Sequence, residues 1–201
     1  MNQEEVVKGL IIEFEQLRQQ LGAYAPYEEI VLNWKPSSQR WSMAECLEHI
    51  RLSTYLYVAN MRMVLDQTPP HLRQTDITRT YKVGWVGRFL VRMMEPRPDG
   101  TIPYRAKTFS DFKPGASAYN TDLLLQNVDL TLQQITELCE EMASFELRKI
   151  KVPTAMGRFM KLPVLDALFF VAAHNRRHLQ QAVNLGEMAN FPGEPLQLQP
   201  A

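Results

Sequence analysis

The sequence predicts an all-α protein, a four-helix bundle in which one long crossover connects the second and third helices. Apolar residues recur at helical spacing in four long segments, and no stretch of useful length alternates apolar and polar residues as a strand would. One connection is long enough to serve as the crossover. Because 201 residues is a typical length for one domain, residues 1–201 are predicted to form a single domain.

The first helix is predicted over residues 3–21. Its apolar residues are spaced three and four apart, so they form one face, and Glu, Lys, Arg and Gln fill the other. The apolar residues are Val6, Val7, Leu10, Ile11, Phe14, Leu17 and Leu21. Pro26, Pro36 and a serine pair then break the helical pattern between residues 22 and 40.

The second helix begins with a capping-box sequence, Ser42-Met43-Ala44-Glu45. In this motif the serine hydroxyl accepts the hydrogen of the Glu45 amide, and the glutamate side chain reaches back to the serine amide. The apolar residues that follow fall close to helical period. The helix is therefore predicted to run to about Asp66, where Thr68-Pro69-Pro70 ends it.

The crossover spans residues 67–114, which is too long for a plain loop in a compact domain. Residues 83–94 mix large apolar residues with arginines and are predicted to form a short amphipathic helix, after which four prolines favour an extended chain. The third helix is predicted from about Ala116 to Met142. The last runs from about Pro163 to Leu185, with Pro163 suited to a first turn and Gly186 to the residue after the end.

Composition excludes several classes of protein. The 22 basic and 22 acidic residues cancel, whereas nucleic-acid-binding domains carry a clustered basic excess. The two cysteines, Cys46 and Cys139, are too few for a disulfide framework. The N-terminus carries glutamates in place of the positive charge of a signal peptide, and the longest apolar run, residues 167–173, is too short to span a membrane. We therefore expect a cytoplasmic protein without nucleic-acid or membrane partners.

His174 and His178 are the first candidate metal ligands. They stand at positions i and i+4 of the last helix, so both imidazoles project from one face and can converge on one ion. Taken alone, the pair is a weak signal. The alternative is a polar helix end, with Asn175, Arg176 and Arg177 solvated around it.

His49 strengthens the metal hypothesis. It lies one turn after Glu45 on the second helix, where a lone histidine is more often a hydrogen-bonded core residue than a ligand. A third imidazole on an opposing helix would nevertheless complete a three-histidine set that leaves coordination positions open for water or substrate, as catalytic sites do.

Other residues are weaker candidates. Gln181 shares the face of the two histidines and is either a hydrogen-bonding neighbour of the site or a solvent-exposed residue. Glu45 is either a base lining the pocket or simply a helix cap. Cys46 is a possible ligand but fits a plain core position, as does Cys139. His71 is predicted to lie on the surface. The crossover also contains four arginines, which would either bind an anionic cosubstrate or form a solvated face: Arg88, Arg92, Arg97 and Arg105. Trp85 in the same segment would either cover the bundle or form a dimer contact.

Three segments resemble the DinB/YfiT-like superfamily. WSMAECLEHI, residues 41–50, is similar to the W-S-x-x-E-x-L-x-H opening of that family's second helix. LDALFFVAAHNRRHLQQ, residues 165–181, resembles its final helix, and KTFSDFKPG, from Lys107, resembles the stretch before its third helix. The resemblance covers about residues 3–185. It implies an up-down-down-up bundle with a metal ion held by His49, His174 and His178.

The resemblance also implies a range of activities. Three neutral imidazoles leave a divalent ion its full charge and open positions, so the catalytic group would be a metal-bound water or a metal-bound thiol. The family includes thiol-dependent S-transferases, metal-dependent hydrolases and members without demonstrated activity. We favour thiol transfer with a low-molecular-weight thiol; a hydrolase of the YfiT type and a non-catalytic stress-response module stay open. Zinc or nickel is expected as the metal, and a homodimer as the assembly.

Overall fold

The computed structural model describes residues 1–73, 80–104, 108–115, 117–155 and 157–196, without the side chain of Arg158. In these residues the chain is mostly helical, which confirms the prediction. The helices are α1 (Gln3–Leu21), α2 (Glu29–Leu32), α3 (Met43–Asp66), α4 (Trp85–Met94), α5 (Thr121–Glu141) and α6 (Val164–Gly186). Short 3-10 turns lie at Pro70–Leu72 and Ser110–Phe112, and two strands, β1 (Lys151–Thr154) and β2 (Gly157–Pro163), form a small sheet.

The four long helices surround one apolar core. Helices α1 and α3 each pack against both α5 and α6. The large side chains at the centre are fully buried; they include Phe14, Tyr24, Tyr57, Met61, Leu132 and Ile135. Burying such side chains removes apolar surface from water at roughly 25 cal/mol per Å², the main force holding the helices together. None of the helices in the described ranges combines the length and the apolar composition needed to cross a bilayer.

The start of α3 is as predicted. The Glu45 amide donates to Ser42 Oγ at 3.1 Å, and the Ser42 amide donates to Glu45 Oε2 at 2.8 Å. Both partners of this capping box are buried. The box satisfies two amide hydrogens that a helix start leaves free, and so fixes where α3 begins.

Helix α5 begins later than predicted. Ala116, the predicted start, lies outside the described residues, and the first helical residue is Thr121. The Asn120 side chain caps the helix by accepting the Leu123 amide hydrogen at 2.9 Å. Just before the cap, Asn33 binds both the amide and the carbonyl of Tyr119, at 2.8 and 2.9 Å, and holds that residue outside the helix. Helical spacing in the sequence could not reveal this long-range contact.

The expectation of no strand was wrong, because β1 and β2 form an antiparallel hairpin. Val152 and Leu162 face each other across it, and both are buried. The turn contains Gly157 at φ +122°, a backbone conformation that other residues rarely adopt. A strand of four residues is too short to show alternation, and a proline at position 153 argues against a strand. The hairpin instead depends on packing against α3, where Asn60 donates to the Pro153 carbonyl at 3.2 Å.

The predicted short helix of the crossover is present as α4, and it docks on the first turn of α6. Asp166 of α6 is almost fully buried and accepts hydrogen bonds from the Tyr81 hydroxyl and from the Gly84 amide, the latter at 3.0 Å. Gly87 is also buried against Asp166. The opposite side of α4 leaves Trp85 75% exposed. The homodimer stays a prediction.

Candidate metal centre

The three predicted histidines meet between α3 and α6. His49 comes from the first half of α3, and His174 and His178 from successive turns of α6. Each offers one ring nitrogen, and these three atoms lie within 4.8 Å of one another. Among the His, Cys, Asp and Glu side chains of the described residues, these three histidines form a group close enough to share one ion.

The protonation state of His49 is fixed by a backbone contact. Its Nδ1 lies 2.7 Å from the carbonyl oxygen of Phe112, which can only accept a hydrogen bond. Nδ1 therefore carries the proton, and Nε2 keeps a free lone pair. This is how a second contact orients a metal-binding histidine. Phe112 belongs to the crossover, so the crossover helps to set the donor atom of the site.

Ser53 lies beside His174. Its hydroxyl donates to the His49 carbonyl at 2.6 Å, and its oxygen lies 3.5 Å from His174 Nδ1, where it can accept a hydrogen bond. His49 Nε2 and His174 Nε2 lie 3.2 Å apart. Two nitrogens bound at ~2.0–2.1 Å to one tetrahedral ion would lie about 3.3 Å apart, so a cation fits between them.

His178 completes the set. Its ring centroid lies 4.4 Å from that of His49 and 4.5 Å from that of His174. Its Nδ1 is buried and has no hydrogen-bond partner among the described residues. A buried polar nitrogen without a partner costs free energy. Trp41 packs against His49 and His178 and covers one side of the group.

Burial keeps the three imidazoles neutral. It lowers the pKa of His174 to about 3, with the charges of His49 and Arg177 acting in the same direction. It lowers the pKa of His178 well below the usual value, and lowers the pKa of His49 against the opposing effect of the Phe112 hydrogen bond. Neutral imidazole is the form that binds metals. The residues present therefore fit a divalent ion.

The other predicted neighbours of the site are engaged differently. Glu45 completes its capping box, and its Oε1 accepts a hydrogen bond from Lys35 Nζ at 2.7 Å. The helix-cap interpretation of Glu45 therefore holds. Cys46 is fully buried, burial raises the pKa of its thiol, and it is outside the metal-binding group. Gln181 is half-buried and lines the cavity beside His178, rather than being solvent-exposed.

A cavity of about 910 Å³ borders the three histidines. Its walls combine apolar and aromatic side chains with polar ones, and are contributed by α3, α4, α6 and the crossover. The apolar lining residues include Trp41, Leu90, Met93, Ile102, Phe109 and Phe170. This volume is typical of sites for small molecules. No aspartate or glutamate is present among the described residues of the lining.

Arg177 is a residue of this cavity that the sequence did not reveal. The alternative of a solvated polar helix end does not hold for Asn175 and Arg177, which are 1% and 6% exposed. Arg176 forms ion pairs with Glu13 and Glu95. Arg177 instead donates from Nη2 to the Tyr104 carbonyl and lines the cavity. Helical spacing places Arg177 near the face of His174, a signal that could have suggested its position.

The described arginines of the crossover form a solvated face rather than a binding site for an anionic cosubstrate. Arg88, Arg92 and Arg97 are exposed and do not line the cavity. Arg105 lies outside the described residues. His71 is exposed in the turn after α3, as predicted.

Replacing Ser53 with alanine should weaken metal binding about 10-fold, the lower end of what loss of a hydrogen bond to a metal ligand costs. The expected cause is loss of the acceptor for His174 Nδ1, which frees that ring to rotate. Competition with a metal-binding dye would measure the affinity. Ser144→Ala, which removes an exposed hydroxyl bonded to the Arg73 carbonyl, is the matched control and should not change it. Equal affinities for Ser53→Ala and the native chain would mean that Ser53 does not orient His174.

Comparison with known proteins gives one match. The family model described as DinB superfamily matches residues 13–182, which include all three histidines. No curated protein and no solved structure matches the chain.

Proposed function

The chain belongs to the DinB superfamily, and from that premise we propose that it is a metal-dependent enzyme of the thiol S-transferase type. His49, His174 and His178 hold a divalent ion, zinc or nickel, and a low-molecular-weight thiol is the cosubstrate. The observation that carries the proposal is the position of the three histidines: they form part of the wall of a large cavity.

The proposed fold is the up-down-down-up four-helix bundle of this superfamily. The packing of α1 and of α3 against both α5 and α6 supports it. In such a bundle, α3 and α6 are neighbours, so ligands on their facing sides can share one ion.

The chemistry of the lining favours thiol transfer over hydrolysis. Hydrolysis at a metal centre commonly uses a carboxylate to accept a proton from water, and the described lining contains none. A bound ion would lower the pKa of a coordinated thiol so far that no protein base is needed. Apolar side chains such as Leu90 and Phe170 line the cavity and would contact the acceptor.

The transfer itself can be written without a further reactant. The S–H bond of the thiol breaks and its proton passes to solvent. The sulfur then forms a bond to an electrophilic carbon of the acceptor, and the leaving group departs with the electron pair of the broken bond. The Phe112 carbonyl holds His49 in the tautomer that leaves Nε2 free to bind the ion, and Ser53 lies beside His174 Nδ1.

The non-catalytic alternative requires a closed site with a fourth protein ligand. Cys46 and Glu45 were the candidates for that position, and neither belongs to the metal-binding group. The adjoining cavity supports an open site, which favours the enzyme.

The test is metal-dependent thioether formation. Zinc-loaded and nickel-loaded protein would be mixed with 2-mercaptoethanol or 3-mercaptopropionate and the electrophile 1-chloro-2,4-dinitrobenzene, and the absorbance of the thioether followed. We expect a rate about 10-fold or more above that of metal-free protein. Lowering a thiol pKa from about 8.5 to below 7 raises the deprotonated fraction at pH 7 by roughly that factor.

A control reaction separates the alternatives. Hydrolysis of p-nitrophenyl acetate without thiol would be followed with the same protein samples. Metal-dependent ester hydrolysis without thioether formation would replace the proposal by the hydrolase. Neither activity with any metal would favour the non-catalytic module.

A further inference from the structure

Arg177 brings an uncompensated positive charge to the cavity. The side chain is 6% exposed, and its Nη2 donates to the carbonyl oxygen of Tyr104, a neutral acceptor. Its Nη1 is buried and has no hydrogen-bond partner among the described residues. A buried guanidinium without a carboxylate is costly, because water is excluded and no opposite charge replaces it.

The neighbouring residues do not neutralise this charge. Arg176, the next residue, takes both Glu13 and Glu95 as ion-pair partners. The lining of the cavity holds no acidic residue in the described ranges, and Arg40 adds a second cation at its wall. The three ligands are neutral imidazoles, so a divalent ion there would add two further positive charges. The cavity therefore carries an excess of positive charge against an apolar background.

We propose that Arg177 binds an anionic group, a carboxylate, of the thiol or acceptor that enters the cavity. This inference rests on the proposed function, since it identifies the substrate class of the same site. Arg177 stands on α6 between His174 and His178 in the chain, and its charge acts on both. A carboxylate that docks on Arg177 would hold its reactive end near the three histidines.

The structure accounts for the specificity of this contact. The Nη1 hydrogens need an acceptor, and a carboxylate oxygen forms a charge-assisted hydrogen bond with guanidinium. The Tyr104 carbonyl holds the guanidinium by Nη2, and Nη1 has no partner among the described residues. Phe170 and Leu90, also in the lining, would contact the apolar part of the ligand. The substrate class is thus a carboxylate with an apolar body.

Calorimetry on the zinc-loaded native protein is the first test. We expect 3-mercaptopropionate to bind about 10- to 100-fold more tightly than the neutral, nearly isosteric 3-mercaptopropionamide, as a hydrogen bond between charged groups would give. This comparison needs no variant, so a folding defect cannot obscure it. Equal affinities for the two thiols would overturn the assignment of Arg177.

Variants then identify the residue responsible for the preference for 3-mercaptopropionate over 3-mercaptopropionamide. Arg177→Gln keeps a donor but loses the charge and should abolish the preference, and Arg177→Lys should restore part of it. Arg92→Gln, an exposed arginine of α4 outside the cavity, is the matched control and should leave it intact. Loss of the preference in Arg40→Gln but not in Arg177→Gln would contradict the proposal. Circular dichroism and zinc content establish that each variant is folded and loaded.

A titration of metal-free protein separates this inference from the proposed function. Ligand-observed NMR with propionate and propionamide should show binding of propionate alone, lost in Arg177→Gln. If neither thiol binds the loaded protein but propionate still binds through Arg177, the thiol-transferase proposal fails and the anion site stands. If both thiols bind the loaded protein equally and propionate does not bind, the anion site fails and thiol binding stands. Inorganic phosphate competing as well as propionate would contradict a carboxylate site.

Discussion

Replacing His174 with alanine is expected to abolish metal binding at micromolar concentrations while leaving the chain folded. The site would lose one of three nitrogen donors, and the remaining pair would lose the geometry that places Nε2 of His49 3.2 Å from its partner. We expect the affinity for the metal to fall by more than about 100-fold, the upper end of the effect of losing a side chain that only supports a ligand. The fold should persist because His174 borders a cavity that water can fill.

Two measurements check this result. Elemental mass spectrometry after dialysis should find about one ion for each native chain and none for His174→Ala. Zinc at 100 times the native dissociation constant should raise the free energy of unfolding of the native protein by about 2.7 kcal/mol and that of the variant by less than about 0.4 kcal/mol. His71→Ala, which removes an exposed histidine, is the matched control. Native affinity in a folded His174→Ala protein would show that the metal binds elsewhere.

Replacing Gly87 with alanine should destabilise the protein by about 1–3 kcal/mol, the usual cost of overfilling a packed interface. An added Cβ would lie 2.6 Å from Asp166 Oδ2 and 2.7 Å from Asp166 Cγ. Asp166 cannot move aside freely, because the Tyr81 hydroxyl and the Gly84 amide hold its carboxylate. Helix α4 must therefore shift away from α6, and Leu90 on α4 would move with it.

Urea denaturation measures this effect, and Gly9→Ala is its control. Gly9 lies in the interior of α1 and is exposed, and an added Cβ there would meet nothing within 4 Å. The same substitution should therefore stabilise the protein by about 0.5–1 kcal/mol, because alanine favours a helix over glycine. Opposite signs are expected for the two variants. A stabilised Gly87→Ala protein would mean that α4 is not anchored through Asp166.

Local sequence patterns determined the helices and the identity of the candidate ligands. Helical spacing gave four long segments, and the Ser42–Glu45 box gave the start of α3 to the residue. The i and i+4 spacing of His174 and His178 placed two imidazoles on one face of one helix. These features are local, because capping and helical periodicity depend on residues a few positions apart.

Only the tertiary structure decided which side chains meet. The pairing of His49 with His174, 125 residues away, requires α3 and α6 to be neighbours. The burial of Arg177 depends on the Tyr104 carbonyl, and the anchoring of α4 on Asp166 depends on the close approach that Gly87 allows. The hairpin forms although Pro153 disfavours a strand, because its buried Val152 and Leu162 face each other. The contacts between helices join residues far apart in the chain, and periodicity shows which face of a helix is buried but not what packs against it.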